Sequence, residues 1–189
     1  MKILLLFVLV LPALLACGSA PVKTQYYQLP YVDVEPATHE AAKERQPVVL
    51  QSLQLAPYLK QRGIAFQQSS TELILAKQHL WADDLTFQLQ RHLRQSVANQ
   101  SADWVLLPIG TKAEVQLSIQ LDRFVGTNKG YALVSGEYQL QKNDCVMTER
   151  FLIEQPLLQD GYPALVEALA EGWQQLADTL LQRLEQFDR

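Results

Sequence analysis

Cys17, Cys145, three histidines, an aspartate pair and one glycine-flanked turn are the positions in this 189-residue chain where side-chain type and spacing could do chemistry. Cys17 ends the stretch Leu14-Leu15-Ala16-Cys17, behind a positive Lys2 and the apolar run Ile3–Leu11, which Pro12 and Ala13 break. A small residue directly before the cysteine completes the pattern of a bacterial lipoprotein signal. The chemistry expected there is acylation: cleavage before Cys17 frees an amine for a palmitoyl chain, and the thiol takes a diacylglycerol. A plain secretory cleavage competes with this reading. Cutting after Ala16 would put Leu14 where a small residue is wanted, and cutting after Ala20 would put Pro21 beside the scissile bond. The run from Ile3 to Ala16 has fourteen residues, whereas a helix needs about 20 to cross roughly 30 Å of hydrocarbon.

The other candidates point away from catalysis. His39 lies in a segment poor in large apolar residues, His79 just before a helical period, and His92 on the apolar stripe of that helix. No two of them are four apart and no carboxylate completes a ligand motif, so no metal site is expected. Asp83 and Asp84 are adjacent, about 100° apart around a helix, and acids at a helix start are favoured by the dipole; a capping role is expected. If Cys17 is acylated, Cys145 is alone and no intramolecular disulfide can form. Asn143-Asp144 before it reads as a turn and Val146-Met147 after it as a strand start, so a core or turn cysteine is expected rather than a reactive thiol. Gly126-Thr127-Asn128-Lys129-Gly130 has two readings, an anion held by backbone amides and Lys129, or a turn shaped only by its glycines. No nucleophile elbow, phosphate loop or dinucleotide fingerprint occurs, so neither an enzyme nor a cofactor is expected.

Composition sets the frame. Removing residues 1–16 leaves 173, enough for one domain with a real core over 26–189, and Cys17 to Gln25 forms a lipidated tether. The remaining 15 basic and 20 acidic residues give a net charge of −5 with no basic cluster, which argues against nucleic acid.

The elements that must position these groups follow from periodicity. Tyr26–Leu29 reads as a short edge strand and 31–46 as a mobile surface loop. Pro47–Leu55 reads as a strand with Val49, Gln51, Leu53 and Leu55 on one face. Gly63–Gln67 and Thr71–Leu75 form a hairpin around Gln68-Ser69-Ser70. From Trp81 to about Asn99 the spacing of Trp81, Leu85, Leu89, His92 or Leu93, and Val97 predicts a helix. Trp104–Leu107 is a short strand, and Ala113–Val125 alternates cleanly, with Val115, Leu117, Ile119 and Leu121 facing one way. Tyr131–Gln141 and Val146–Gln155 continue it as a three-strand meander. Asp160 is the expected cap of a last helix with Pro163 in its first turn. Its stripe is Leu165, Leu169, Trp173, Leu176, Leu180, Leu184 and Phe187, either core or docking surface. The fold class is α/β in the α+β sense: a mixed, largely antiparallel sheet with a C-terminal meander, packed by two amphipathic helices.

The lipobox, Tyr26-Tyr27-Gln28-Leu29-Pro30 soon after the cysteine, Trp81-Ala82-Asp83-Asp84-Leu85 before a helix, and the late amphipathic helix, in this order, resemble the ABC-type transport auxiliary lipoproteins. The resemblance covers essentially the chain after Cys17 and implies a non-catalytic periplasmic lipoprotein, with two helices against a mixed sheet. It also implies a docking component of an intermembrane lipid transport system that maintains envelope integrity. The implied partners are a periplasm-spanning protein with mammalian-cell-entry domains, an inner-membrane protein reached through it, and further copies of the chain in a ring. An Asp after the lipidated cysteine usually retains a lipoprotein in the inner membrane; here the residue is Gly18, so the outer membrane is expected. A lipid-binding carrier with its own apolar cavity remains the rival reading.

Overall fold

The structure, a computed structural model, describes residues 23–32 and 45–187. The expected signal peptide, Cys17, His39 and nearly all of the loop expected over 31–46 lie outside the described residues.

The cleanest alternation in the sequence builds the strand on which the sheet is laid. In β6 (Val115–Thr127), Val115, Leu117, Ile119 and Leu121 are buried while Gln120 and Asp122 are exposed. β7 (Tyr131–Lys142) runs antiparallel along one whole edge of β6, and β8 (Cys145–Pro156) antiparallel along β7, which is the expected meander. The other edge of β6 forks. Its first half pairs in parallel with β2 (Gln46–Leu55), and its end pairs in parallel with β3 (Gly63–Gln67). β5 (Trp104–Leu107) lies outside β2; β4 (Leu73–Trp81) is antiparallel to β3, and β1 (Gln25–Tyr27) pairs in parallel with β4. The eight-stranded sheet is therefore mixed, with the longest ladders antiparallel.

Two helices, α1 (Leu85–Gln100) and α2 (Tyr162–Phe187), cover one face. α1 lies over β2 and β5, and α2 over β6, β7 and β8. Leu165, Leu169, Trp173, Leu176, Leu180 and Leu184 of the α2 stripe are buried and Phe187 is partly so, which makes the stripe core rather than docking surface. At the helix–helix contact Trp173 is wholly buried, and its Nε1–H donates to the Leu89 carbonyl at 3.1 Å. Phe124 meets it edge-on, ring centroids 6.4 Å apart. That pairing satisfies the one polar atom of the largest core side chain, which unpaired would cost about 1–3 kcal/mol.

Three expectations are corrected. The inward face of β2 is Val48, Leu50, Leu53 and Leu55, not Val49 and Gln51 with the two leucines. The register runs Leu50↔Leu117 and then Ser52↔Ser118, so Gln51 is a bulge residue, exposed, and the apolar side chains change parity there. Trp81 ends β4 and is not helical: Asp84 caps α1, its carboxylate accepting from the Thr86 and Phe87 N–H groups at 2.8 and 3.4 Å. The four-residue step from Trp81 to Leu85 imitates a helical turn because both side chains enter one core from different elements. At α2, Gly161 rather than Asp160 precedes the first helical residue, and the Gly161 carbonyl accepts from the Leu165 N–H at 3.1 Å.

His92 is 3% exposed and within 3.4 Å of the Ser96 hydroxyl. Burial, reinforced by the Arg91 charge, holds its imidazole below the usual 6.5. The unfolded chain then takes the proton first, so this group leaves stability unaffected above about pH 6.5 and lowers it as pH falls through and below that value. Thermal unfolding of a soluble form beginning near Ser19 is expected to show a falling midpoint from about pH 7 to pH 5, with a shallower fall for His92→Gln. In the same assay Leu176→Ala, which empties a fully buried site, is expected to cost about 2–5 kcal/mol; an unchanged midpoint would mean the α2 stripe is not core.

Candidate docking platform at one end of the sheet

Most residues singled out in the sequence are structural. Asp84 is the α1 cap, and the Asp83 carboxylate accepts from the Asp84 N–H at 2.8 Å. His79 stacks on Tyr162, ring centroids 3.8 Å apart, and its Nδ1 lies 2.9 Å from the Tyr27 hydroxyl. This set ties β1 to the start of α2. Cys145 is exposed and opens β8 opposite Lys142, so the turn reading holds and the core reading does not. No group of three His, Cys, Asp or Glu able to hold a metal occurs among the described residues.

The turn between β6 and β7 is where separate parts of the chain converge. Gly130 has φ of +80°, in the left-handed region that suits glycine. The Gly130 N–H donates to the Thr127 carbonyl at 3.2 Å and the Asn128 N–H to the Gln67 carbonyl at 3.3 Å. Two amides that an anion nest would use are thereby occupied, and the turn reading is the one the geometry supports. The same bonds stitch three loops together. Asn128 Nδ2 donates to the Gln68 carbonyl at 2.8 Å, fixing the turn to the β3–β4 tip, and the Leu157 N–H donates to the Gly130 carbonyl at 3.0 Å, fixing it to the β8–α2 loop. Gly126 supplies the room: a Cβ there would lie 2.8 Å from a Leu165 methyl and 2.9 Å from the Phe66 ring.

Two shallow hollows flank this platform. One, of about 400 Å³ on the helix-free face, is lined by Ser69, Arg123, Lys129, Tyr131, Leu152 and Glu154 among others; Arg123 Nε donates to the Ser135 hydroxyl at 2.7 Å. The other, of about 370 Å³ on the helix face, is bounded by Phe66, Leu157, Tyr162 and Leu165. The polar groups of the first hollow include Ser69, Ser70, Arg123, Lys129 and Glu154, and those of the second include Asp160 and Tyr162.

Residues 27–180 match the family model described as ABC-type transport auxiliary lipoprotein component. The chain belongs to the ABC-type transport auxiliary lipoproteins. Within reach of this family, it is 30% identical over 177 residues to proteins named intermembrane transport lipoprotein PqiC from Escherichia coli K12 and from Shigella flexneri, covering 92% of this chain and 93% of each relative. A crystal structure of an uncharacterised protein superposes with a TM-score of 0.73 at 27% identity, over 86% of this chain and 99% of the other. The expected resemblance and fold class thus stand.

Of the platform, the sequence flagged only Gly126–Gly130. The partners of that turn are 60 residues away at Gln68 and about half that at Leu157, and a link of that kind leaves no local period. Asn128→Ala keeps the backbone ladder but deletes the bond to Gln68, a loss of about 0.5–1.5 kcal/mol. Hydrogen exchange is expected to quicken at Gln67–Leu73 and in the turn while the α2 amides stay protected; uniform exchange across the chain would mean the platform is not a local unit.

Proposed function

We propose that this chain is the membrane-anchored docking lipoprotein of a Pqi-type intermembrane lipid transport system. Cys17, acylated on its amine with palmitate and on its thiol with diacylglycerol, holds the single body over 26–189 to the periplasmic side of the outer membrane. The body docks a PqiB-like periplasm-spanning protein with mammalian-cell-entry domains and, through it, a PqiA-like inner-membrane protein. Several copies together present the docking surface, and envelope integrity depends on the assembly. The role is non-catalytic. The observation that carries this reading is the end-to-end match to the intermembrane transport lipoproteins, over 92% of this chain and 93% of the relatives.

The size of the hollows favours docking over carriage. Pockets for drug-sized ligands measure roughly 300–1,000 Å³ and bury most of the ligand. A two-chain phospholipid is larger than such a ligand, whereas the hollows measure about 400 and 370 Å³, near the low end of that range, and are open and partly polar. The helix–sheet interface is filled by Trp173, Phe124 and their neighbours. Native mass spectrometry of the purified protein is expected to show no stoichiometric phospholipid, and crosslinking in cells is expected to recover a protein with mammalian-cell-entry domains.

Anchoring and address separate in two variants. Cys17→Ala removes the acyl chains, worth about 0.8 kcal/mol per buried methylene and so nearly all the membrane affinity, without touching the core. Gly18→Asp keeps the chains and is expected to redirect the protein to the inner membrane. Both are expected to accumulate folded yet fail to restore detergent resistance in a strain lacking parallel lipid-transport systems. Full complementation by an inner-membrane Gly18→Asp protein would refute the docking role and favour a free carrier.

A further inference from the structure

Resting on the acylation of Cys17 proposed above, we infer that the stitched platform is the membrane-facing end of the body, and that Leu73, Ile74 and Leu158 touch the bilayer surface there.

The argument is one of reach and direction. β1 runs parallel to β4 with Gln25 beside His79 and Tyr27 beside Trp81, so the chain preceding Gln25 leaves the sheet edge on the side of Leu73. Leu73 pairs with Gln67, and Gln67 with Thr127 of the platform. From Lys23, the first described residue, to Cys17 is six residues, at most about 20 Å of chain. The opposite end of the sheet, where Asn143 and Asp144 turn β7 into β8, lies about 40 Å from the platform along the twelve residues of β7. Gln25 enters beside His79, six residues from Leu73, so Lys23, two residues nearer the platform, stands roughly 13 Å from the platform's level and roughly 27 Å from that of the far turn. A lipid on Cys17 can therefore bring the platform to the bilayer and cannot bring the far turn there.

The surface chemistry agrees. Leu158 is 86% exposed, Leu73 45% and Ile74 42%, three of the large apolar side chains the fold leaves in water, and all three belong to the loops or strand starts of this end. Arg123 and Lys129 stand with Glu154 in one hollow of this end, with Glu72 and Asp160 nearby, so basic and acidic groups are mixed here while the chain after Cys17 carries −5. At the far end Val146 is also exposed, at 52%; the platform differs in presenting three apolar side chains together, and an acidic protein is presented to anionic headgroups through such an apolar contact rather than through charge. The far end then faces the periplasm.

Native Cys145, exposed at the far end, provides the control. The acylated full chain is placed in vesicles of phosphatidylethanolamine with a minority of phosphatidylglycerol, some of it spin-labelled at the headgroup. A nitrobenzoxadiazole dye is attached either to Cys145 or, in a Cys145→Ser background, to Leu158→Cys. Quenching is expected to be severalfold stronger at 158 than at 145. Equal quenching, or stronger quenching at 145, overturns the orientation; a dye at 158 that is shielded from water yet unquenched overturns it too, and assigns the platform to a second copy of the chain. Mass analysis of the amino-terminal peptide separates the two levels of the argument. An unacylated Cys17 defeats the anchor itself, whereas an acylated Cys17 with an unquenched 158 defeats only the orientation.

Discussion

The structure depends on one strand keeping a single dry face while it answers to three neighbours. β6 must offer Val115, Leu117, Ile119 and Leu121 to the helices, accept β7 along its whole length, and pair with β2 and then β3 on its other edge. The side-chain period of a strand is two, so any single-residue slip would turn the apolar set to water. Two bulges reconcile these demands. Gln51 in β2 and Asp122 in β6 each stand outside the ladder, polar and exposed, where the chain changes parity. Past Asp122 the inward residues become Phe124 and Gly126, and the strand reaches β3 in register.

The helices complete that face. Gly172 lets α2 lie close to β7, since a Cβ there would be 2.9 Å from a Val134 methyl. Toward the C-terminal end of α2, a polar cluster takes over from apolar packing. Glu149 Oε2 accepts from the Tyr138 hydroxyl at 2.7 Å and from Arg183 Nε at 3.0 Å, linking β7, β8 and α2. Burial, with the Glu149 carboxylate beside it, pushes the Tyr138 phenol up to about 12, so it stays a donor to that carboxylate across the physiological range.

The residues also show what a sequence can disclose by itself. β5, the meander and both helices were legible because each carries its period within one segment and is bounded by turn residues of clear chemistry, such as Asn143 at φ +54°. The inward face of β2 was not, because a bulge is decided by the partner strand. Trp81 misled for a related reason: a core shared by β4 and α1 placed two side chains four residues apart without a helix between them. The platform was the least legible part, since its bonds join loops near residues 68, 128 and 157 that share no pattern. The Tyr138–Glu149–Arg183 cluster was likewise missed, as nothing in Glu149 alone distinguishes it from other strand glutamates.

β8 is twelve residues long and, among the described residues, has a neighbour on only one side. A free edge of that length is an invitation to templated stacking, and confinement to a plane multiplies how often two such edges meet. The strand is guarded against this. Arg150 leans across its own sheet to Glu137 at 3.6 Å, Glu154 projects near its far end, and Pro156 closes it without a donor. These residues act as gatekeepers: a population held at one surface can crowd without growing sheets between its members.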